Sequence, residues 1–404
     1  MAANMPSVPL KEINLRIESL RRYLAKEWPQ VSGSFVFSPV NIYYFTGHLG
    51  NGVLWIPIHG EPVLLCRKGI ERAQMESPLK HVLEFRSYRD ICGILDNLGQ
   101  RLEGVIGIEK SFLPWNLAEN FQKHVKNQLT AIDLAIAKTR AVKSSWEIEK
   151  LKIAGARHHK SLACDLKEEI RPGMTEWEIA VKVWEVLFKN GHQGKMRMQG
   201  FGQEIFLGHI SAGDSGNYPS VFNGPLGLKG VHPASPVMGS LDKAWQENEV
   251  LSIDCGFVFE GYHTDKTQVY FSKKWTLPEI VKKAQDFCLS LQNWLAQHLV
   301  PGAIPSELYA QAVNMAKKQG WESGFMGIGK NKVPFIGHGV GLLIDEYPVL
   351  AKGFNEPLIE NMVIALEPKI GLPGYGMVGV ENTFLITPQG GKSLTGMEFE
   401  PIFI

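Results

Sequence analysis

The sequence of 404 residues has few cysteines and no long apolar run, and both shortages exclude classes of protein. None of its five cysteines lies in a CxxC pair, which argues against a zinc ribbon or a redox dithiol. Their odd number and wide spacing predict reduced thiols and a cytoplasmic protein. Apolar runs such as 53–58 are far shorter than the ~18 residues of a membrane span. Residues 1–10 lack the apolar core of a secretory signal, so we expect no membrane partner.

An excess of charge of either sign is also missing. The chain has 42 Lys and Arg residues against 41 Asp and Glu residues, a formal net charge of +1. Because nucleic-acid-binding proteins usually carry a basic surface, we expect no nucleic-acid partner. Hydrophobic residues make up 44% of the chain and charged residues 21%, which is typical of a globular protein. At roughly 100–200 residues per domain, the length allows two or three domains.

The first third of the chain has the pattern of an α/β unit. An amphipathic helix at Leu15–Glu27 precedes apolar, β-rich runs that glycine-containing turns separate. These runs are 34–37, 42–45, 53–58, 63–66, 82–85 and 105–108, and helical patterns at 88–98 and 115–125 lie among the later ones. A capping box formed by Ser144 and Glu147 then predicts the start of a new helix. We therefore predict one domain at 12–142 and a second at 143–404.

Within the second domain, two helices followed by a β-rich region occur twice. The first set has helical patterns to about 170 and at 176–189, then a glycine-dense β-rich region at 196–270. The second set has helices at 278–299 and 306–319 and a β-rich region at 335–404. This repetition predicts an internal duplication of structure. A duplicated α+β unit would form one pseudo-symmetric domain with a cleft between its halves.

Five polar residues of this domain lie in or beside apolar strands, where hydrophobic side chains are expected. Asp254 and Asp265 lie on two candidate strands joined by a short turn. A hairpin of these strands would bring both carboxylates to the same end. Glu367 and Glu381 interrupt later apolar runs, and His338 lies between glycines.

Each of these residues alone is compatible with a structural role, such as a turn-forming aspartate or a packed histidine. As a group, four buried carboxylates would require cations or protons nearby. A pair of divalent metal ions would supply the positive charge that balances them. Oxygen-rich ligation with one imidazole suits Mn²⁺, Co²⁺ or Fe²⁺ at least as well as Zn²⁺. The convergence of the five side chains is an inference from the pattern.

The segments around these residues resemble the pita-bread metallopeptidase family, which includes methionine aminopeptidases, Xaa-Pro aminopeptidases, prolidases and creatinases. The matching segments are Asp254–Gly256, Gly261–Thr267, Gly337–Leu342, Ala365–Pro368 and Val380–Thr383. Tyr43–Gly47 and Lys143–Leu151 resemble the prolidase and creatinase branch, whose extra N-terminal domain methionine aminopeptidases usually lack. The resemblance implies an α+β fold in which a pseudo-symmetric pita-bread catalytic domain follows a smaller α/β creatinase-like domain.

The resemblance also implies that all five residues are metal ligands. Asp254 would bind one ion, His338 and Glu367 would bind the other, and Asp265 and Glu381 would bridge both. We expect the two divalent ions to be Mn²⁺ or Co²⁺, with Zn²⁺ or Fe²⁺ as alternatives. A hydroxide between the ions would attack the substrate, and Glu367 would take and pass on its proton. The implied enzyme hydrolyses short peptides or small amides as a homodimer, and is of Xaa-Pro aminopeptidase or Xaa-Pro dipeptidase (prolidase) type.

The chain departs from the family at histidines outside the ligand set. Relatives usually carry a second histidine after the ligand histidine, and this chain has Asp345 there. An ionised aspartate cannot donate a hydrogen bond, whereas imidazole can, so Asp345 is a candidate catalytic and substrate-binding residue that weakens the case for peptide cleavage. For a further family histidine upstream of Asp254, we favour His232 as a catalytic and substrate-binding residue, with His209 as the alternative. His263 is expected on the outward face of its strand.

Two other functions remain as alternatives. Asp345 favours a non-peptidase enzyme on the same scaffold, either a creatinase-like amidinohydrolase or a lyase with a base beside the metal. Creatinase itself dispenses with metal, so an intact ligand set argues against that member. A catalytically silent peptide-binding module is disfavoured, because such domains typically lose metal ligands and all five positions are filled here.

Overall fold

The computed structural model describes residues 7–404, and the chain forms two compact units with a boundary between Arg140 and Ala141. This boundary lies two residues before the predicted domain start at Lys143. Over residues 7–404, no helix combines the length and the apolar character that crossing a membrane requires.

The first unit contains helices and strands in alternation. Its helices are α1 (Leu10–Glu27), α2 (Pro39–Thr46), α3 (Ile70–Glu76), α4 (Asp90–Asn97), α5 (Trp115–Gln122) and α6 (Asp133–Ala141). Its strands are β1 (Val31–Val36), β2 (Gly52–Pro57), β3 (Val63–Cys66), β4 (His81–Glu84), β5 (Val105–Ile108) and β6 (Gln128–Ala131). They form one mixed sheet in the order β4-β3-β2-β1-β5-β6. The predicted α/β unit is thereby confirmed.

Aromatic side chains form much of the core of this unit. Phe35 of β1 contacts Trp55 of β2 and Phe121 of α5, with ring centroids 4.7 Å and 5.1 Å apart. All three rings are buried. Close aromatic pairs of this kind contribute more than their buried area alone, so they hold α5 against the centre of the sheet.

The prediction of a strand at 42–45 is wrong, because this segment lies within α2. Pro39 occupies the first turn of the helix, where its fixed φ is favourable and its missing N–H costs nothing. Gly47 ends the helix with φ of 75°, a left-handed conformation that glycine adopts without strain. A short apolar run fits a buried helix and a buried strand equally well, so periodicity could not distinguish them.

The second unit begins with two helices and a sheet. α7 (Ser145–His159) and α8 (Glu176–Lys189) both start at the predicted capping boxes. α7 was predicted to continue to about 170, but the chain changes to a π-helical stretch at Lys160–Asp165. β7 (Gly208–Ala212), β8 (Leu251–Phe259) and β9 (Tyr262–Phe271) follow, and they form a sheet with the last strand of the chain, β17 (Ile402–Phe403).

The same order then recurs. α9 (Glu279–His298) and α10 (Pro305–Lys318) precede two further sheets. These sheets contain β10 (Phe335–Gly339), β11 (Glu346–Ala351), β12 (Val363–Leu366), β13 (Lys369–Leu372), β14 (Gly376–Gly379), β15 (Asn382–Thr387) and β16 (Gly390–Ser393). One has the order β11-β10-β12-β15-β16, and β13 and β14 form the other.

Each half of this unit has its own apolar core. In the first half, side chains of α8 pack with those of β7 and β8, among them Val183, Ile210 and Ile253. In the second, α9 packs against the large sheet through residues such as Leu291 and Ile364. Each half therefore has two helices and a sheet, which is the duplicated α+β arrangement that the sequence predicts.

Candidate metal centre

β8 and β9 form the predicted hairpin and carry two of the predicted ligands. Asp254 lies opposite Thr267, and Asp265 lies opposite Gly256. Paired residues share a face of the sheet, and so do residues two apart on one strand, so the two carboxylates project from the same face. Both lie within the hairpin rather than at its end, because β9 already begins at Tyr262. The predicted position at the end of the hairpin was therefore wrong.

The other three predicted ligands come from the second half. His338 lies on β10 opposite Ala365 of β12, and Glu367 directly follows β12. Glu381 directly precedes β15, and its carbonyl accepts a hydrogen bond of 3.2 Å from the backbone N–H of Thr267 on β9. The Thr267 hydroxyl also donates to Oε2 of Glu381 at 2.9 Å. These bonds join β9 to the start of β15 and bring all five residues to one place.

One side of this cluster is a set of four atoms around the imidazole of His338. Its Nε2 lies 3.9 Å from Oδ2 of Asp265, 3.5 Å from Oε1 of Glu367 and 3.8 Å from Oε1 of Glu381. Its Nδ1 lies 3.1 Å from the carbonyl of Gly339, which suits the tautomer that leaves the Nε2 lone pair free. Ligands about 2.1 Å from a tetrahedral ion are about 3.4 Å apart. Ligand atoms of Asp265, His338 and Glu381 all lie within 4.8 Å of one another, so these three residues could hold one ion. Together with Oε1 of Glu367, which lies close to Nε2, these atoms are called here the His338 set.

The other side of the cluster holds an ammonium group. Nζ of Lys369 lies 3.1 Å from Oδ2 of Asp254, 2.9 Å from Oε2 of Glu367 and 2.8 Å from Oε2 of Glu381. Each glutamate thus directs one oxygen to His338 and the other to Lys369. The three oxygens around Nζ are called here the Lys369 set. Carboxylate oxygens of Asp254, Glu367 and Glu381 lie close enough together to hold an ion. In the arrangement that the structure shows, the ammonium of Lys369 lies among these oxygens.

The charges of the cluster are strongly coupled. Burial raises the pKa values of Asp265, Glu367 and Glu381. Neighbouring carboxylates raise these pKa values further, while the charge of Lys369 lowers them. The resulting pKa of Glu381 is about 8. Burial lowers the pKa of Lys369, but Asp254, Glu367 and Glu381 outweigh burial and hold that pKa well above its usual range. Lys369 is therefore a cation at neutral pH. One ammonium does not keep all the carboxylates ionised, and a divalent ion in the His338 set would supply the missing charge.

Lys369 is the residue of this site that sequence reasoning missed. It opens β13, whose other residues are Ile370, Gly371 and Leu372, and it is 1% exposed. A lysine in so apolar a strand, two positions after a candidate ligand, needs anionic partners once it is buried. That signal was present in the sequence and could have placed Lys369 among the acids.

The two candidate upstream histidines differ in their surroundings. His209 lies on β7 opposite Asp254 and is buried against the ring of Phe222. Burial lowers its pKa, although the charge of Asp254 opposes this, and Nδ1 lies 3.3 Å from the carbonyl of Leu226. His232 instead accepts a hydrogen bond from the N–H of Ala234 within its own turn. His209, the alternative, is thus the histidine that lies on the strand beside Asp254, and the role of each histidine in binding substrate stays a prediction.

Asp345 and His263 are both held by the segment around residue 198. Asp345 accepts a hydrogen bond of 2.7 Å from the N–H of Gln199. Burial raises its pKa, while the bond from Gln199 and the charge of His338 oppose the rise. His263 is completely buried and not outward-facing. Its Nδ1 lies 3.0 Å from the carbonyl of Gly341, and its Nε2 accepts from the N–H of Arg197, so its polar atoms have partners other than a metal.

Comparison with known proteins agrees with this geometry. Residues 149–388 match the metallopeptidase family M24, and residues 16–142 match the creatinase/prolidase N-terminal domain. The Xaa-Pro dipeptidase of Pyrococcus furiosus is 30% identical over 393 residues, which cover 95% of this chain and 99% of the relative. The chain therefore belongs to metallopeptidase family M24, and it also carries the creatinase/prolidase N-terminal domain.

Solved structures show the same fold over the whole length. The prolidase of Pyrococcus horikoshii superimposes with a TM-score of 0.77 at 25% identity, covering 96% of this chain and 99% of the prolidase. The X-Pro aminopeptidase of Thermotoga maritima superimposes with a TM-score of 0.75 at 21% identity, covering 93% and 98%. The predicted pita-bread fold with its creatinase-like N-terminal domain is thus confirmed.

Proposed function

We propose that this chain hydrolyses the peptide bond that precedes proline in short peptides, with a divalent metal ion held by the His338 set. The observation that carries this proposal is the position of the His338 Nε2 atom, 3.5–3.9 Å from an oxygen of each of three carboxylates. Full-length similarity to a protein named as an Xaa-Pro dipeptidase supports the choice of substrate. We propose Mn²⁺ or Co²⁺ as the ion, a cytoplasmic location and a homodimer, as the sequence analysis predicts.

The residues divide the chemistry among them. The residues of the His338 set would hold a divalent ion, which when bound would activate a water molecule and polarise the scissile carbonyl. Glu367 reaches the His338 set with Oε1, and burial raises its pKa, so its carboxyl group is suited to accept a proton from that water and release it to the leaving amine. Lys369 holds Oε2 of the same glutamate at 2.9 Å and so fixes the orientation of Oε1.

His209 is the residue that we propose for positioning the substrate. With its Nδ1 proton donated to the carbonyl of Leu226, its Nε2 atom is an acceptor, and the residue lies on β7 opposite Asp254. An imidazole that stays neutral because it is buried can accept a hydrogen bond from the terminal amine of the substrate, which is the main-chain N–H donor of an Xaa-Pro dipeptide because proline has no N–H.

We expect His209→Ala to lower kcat/KM for an Xaa-Pro dipeptide by about 10-fold or more, chiefly through a higher KM, because one oriented hydrogen bond to the substrate is lost. His232→Ala should lower it much less, because the hydrogen bond of His232 stays within its own turn. Steady-state kinetics of both variants on one substrate compare the two histidines directly. A larger loss for His232→Ala than for His209→Ala would restore the order that the sequence favoured.

The proposed function is tested by a substrate panel on the purified full-length chain. We expect Mn²⁺- or Co²⁺-loaded protein to cleave Xaa-Pro dipeptides, or peptides with an N-terminal Xaa-Pro, and metal-stripped protein to cleave neither. Creatine and sulfonium compounds represent the amidinohydrolase and lyase alternatives that Asp345 favours. Turnover of one of these compounds without peptide cleavage would reject the peptidase, and full peptide cleavage after metal removal would reject the metal-dependent mechanism.

A further inference from the structure

The metal centre is divided into two unlike halves by the way its glutamates are oriented. Oε1 of Glu367 and of Glu381 face His338, whereas Oε2 of each faces Lys369. Asp265 joins the first half and Asp254 the second. The second half thus has three carboxylate oxygens around an ammonium nitrogen, in the place where a two-ion centre would need its other ion.

The ammonium pairs with each carboxylate of this half. It donates hydrogen bonds to Oε2 of Glu367 at 2.9 Å and to Oε2 of Glu381 at 2.8 Å, and it forms an ion pair with Oδ2 of Asp254 at 3.1 Å. A metal ion would need lone pairs of the same oxygens at about 2.0–2.2 Å, and a divalent ion that close to an ammonium would be strongly repelled in a buried site. The Lys369 set therefore accommodates either the ammonium or an ion.

Lys369 is held in this place by its backbone and by its neighbour on β14. Its carbonyl accepts a hydrogen bond of 2.9 Å from the N–H of Met326, and it lies opposite Gly379. A Cβ atom at Gly379 would lie 2.7 Å from Cγ of Lys369, so only glycine leaves room for the lysine side chain here. With 1% exposure, the side chain cannot withdraw to solvent without a change in the surrounding structure.

We infer that Lys369 replaces one of the two metal ions, so that the centre binds a single divalent ion, in the His338 set. Asp254 is then a ligand of the ammonium and not of a metal, and Lys369 is a positioning residue that directs Oε1 of Glu367 and Glu381 toward the ion. One divalent ion and one ammonium place three positive charges against the four carboxylates of the cluster. The inference rests on the proposed function, because it concerns the same metal-dependent site.

Metal stoichiometry tests the inference without any measurement of activity. The full-length chain is stripped of metal, titrated with Mn²⁺ by isothermal titration calorimetry and measured by elemental analysis after removal of free metal. We expect one Mn²⁺ per chain for the wild type and two for Lys369→Ala, because the variant removes the ammonium and frees its oxygens. Electron paramagnetic resonance should show an isolated Mn²⁺ in the wild type and an exchange-coupled pair in the variant.

Two further variants serve as controls. Lys392→Ala removes an exposed lysine of β16 and should leave one ion per chain. His338→Ala disrupts the His338 set and should remove that ion. Two tightly bound ions in the wild type would overturn the inference, and so would a folded Lys369→Ala that still binds only one. If Lys369→Ala does not fold, the wild-type stoichiometry decides the question by itself.

The two proposals fail in different measurements. A wild type that binds one ion but cleaves no Xaa-Pro peptide would reject the proposed function and keep the single-ion centre. A wild type that cleaves these peptides with two bound ions would reject the single-ion centre and keep the proposed function.

Discussion

Replacing Glu367 by glutamine is expected to lower kcat on an Xaa-Pro dipeptide by about 10³-fold while the protein stays folded. The amide cannot take up a proton, and it loses the negative charge that pairs with Lys369 at 2.9 Å. The amide keeps only one oxygen, so it cannot serve both Lys369 and the His338 set, where Oε1 of Glu367 lies 3.5 Å from Nε2 of His338. Steady-state kinetics with saturating Mn²⁺, together with circular dichroism and a thermal melt, measure both parts of this prediction.

Glu360→Gln is the matched control, because this exposed glutamate undergoes the same chemical change seven positions before Glu367. It should retain wild-type kinetics. If Glu367→Gln keeps a kcat within a few-fold of the wild type, Glu367 is not the proton carrier and the proposed mechanism is wrong.

The second large effect is expected for His338→Ala, which should weaken Mn²⁺ binding by about 100-fold or more and lower kcat/KM accordingly. Its imidazole is the nitrogen ligand of the His338 set, and the remaining donors are carboxylates whose pKa values burial has raised. Those carboxylates can become neutral by binding protons instead of a metal. Calorimetric titration with Mn²⁺ gives the dissociation constant directly.

His59→Ala provides the comparison for this experiment, because His59 is an exposed histidine of the first unit, outside the metal centre. It should bind Mn²⁺ as tightly as the wild type. A His338→Ala variant with unchanged Mn²⁺ affinity would show that the ion binds elsewhere, and the assignment of the His338 set would have to be abandoned.

The acids of the metal centre could be found from the sequence because charged residues are rare in buried apolar strands. Carboxylates such as Asp254 and Glu367 in or beside buried apolar strands are costly unless cations compensate them, so the pattern itself pointed to a charged centre. The capping boxes also predicted correctly where α7 and α8 start, because their side chains bond directly to the N–H groups at the start of the helix.

The prediction for residues 42–45 was wrong because this run fits a helix or a strand equally well, and the chain forms α2 there. The position of His209 could not be predicted because it depends on strand register: the pairing of β7 with β8 places His209 opposite Asp254.

The sequence by itself determined the two-part α/β and α+β architecture, the hairpin that carries two aspartates, and the five residues that converge at its face. These follow from periodicity, capping and the cost of burying charge, all of which act locally along the chain. Only the tertiary structure decided which cation each carboxylate oxygen faces. Lys369 enters the cluster because β13 pairs with β14 and Gly379 leaves room for the lysine side chain. The pairing of two strands depends on how the chain packs in three dimensions.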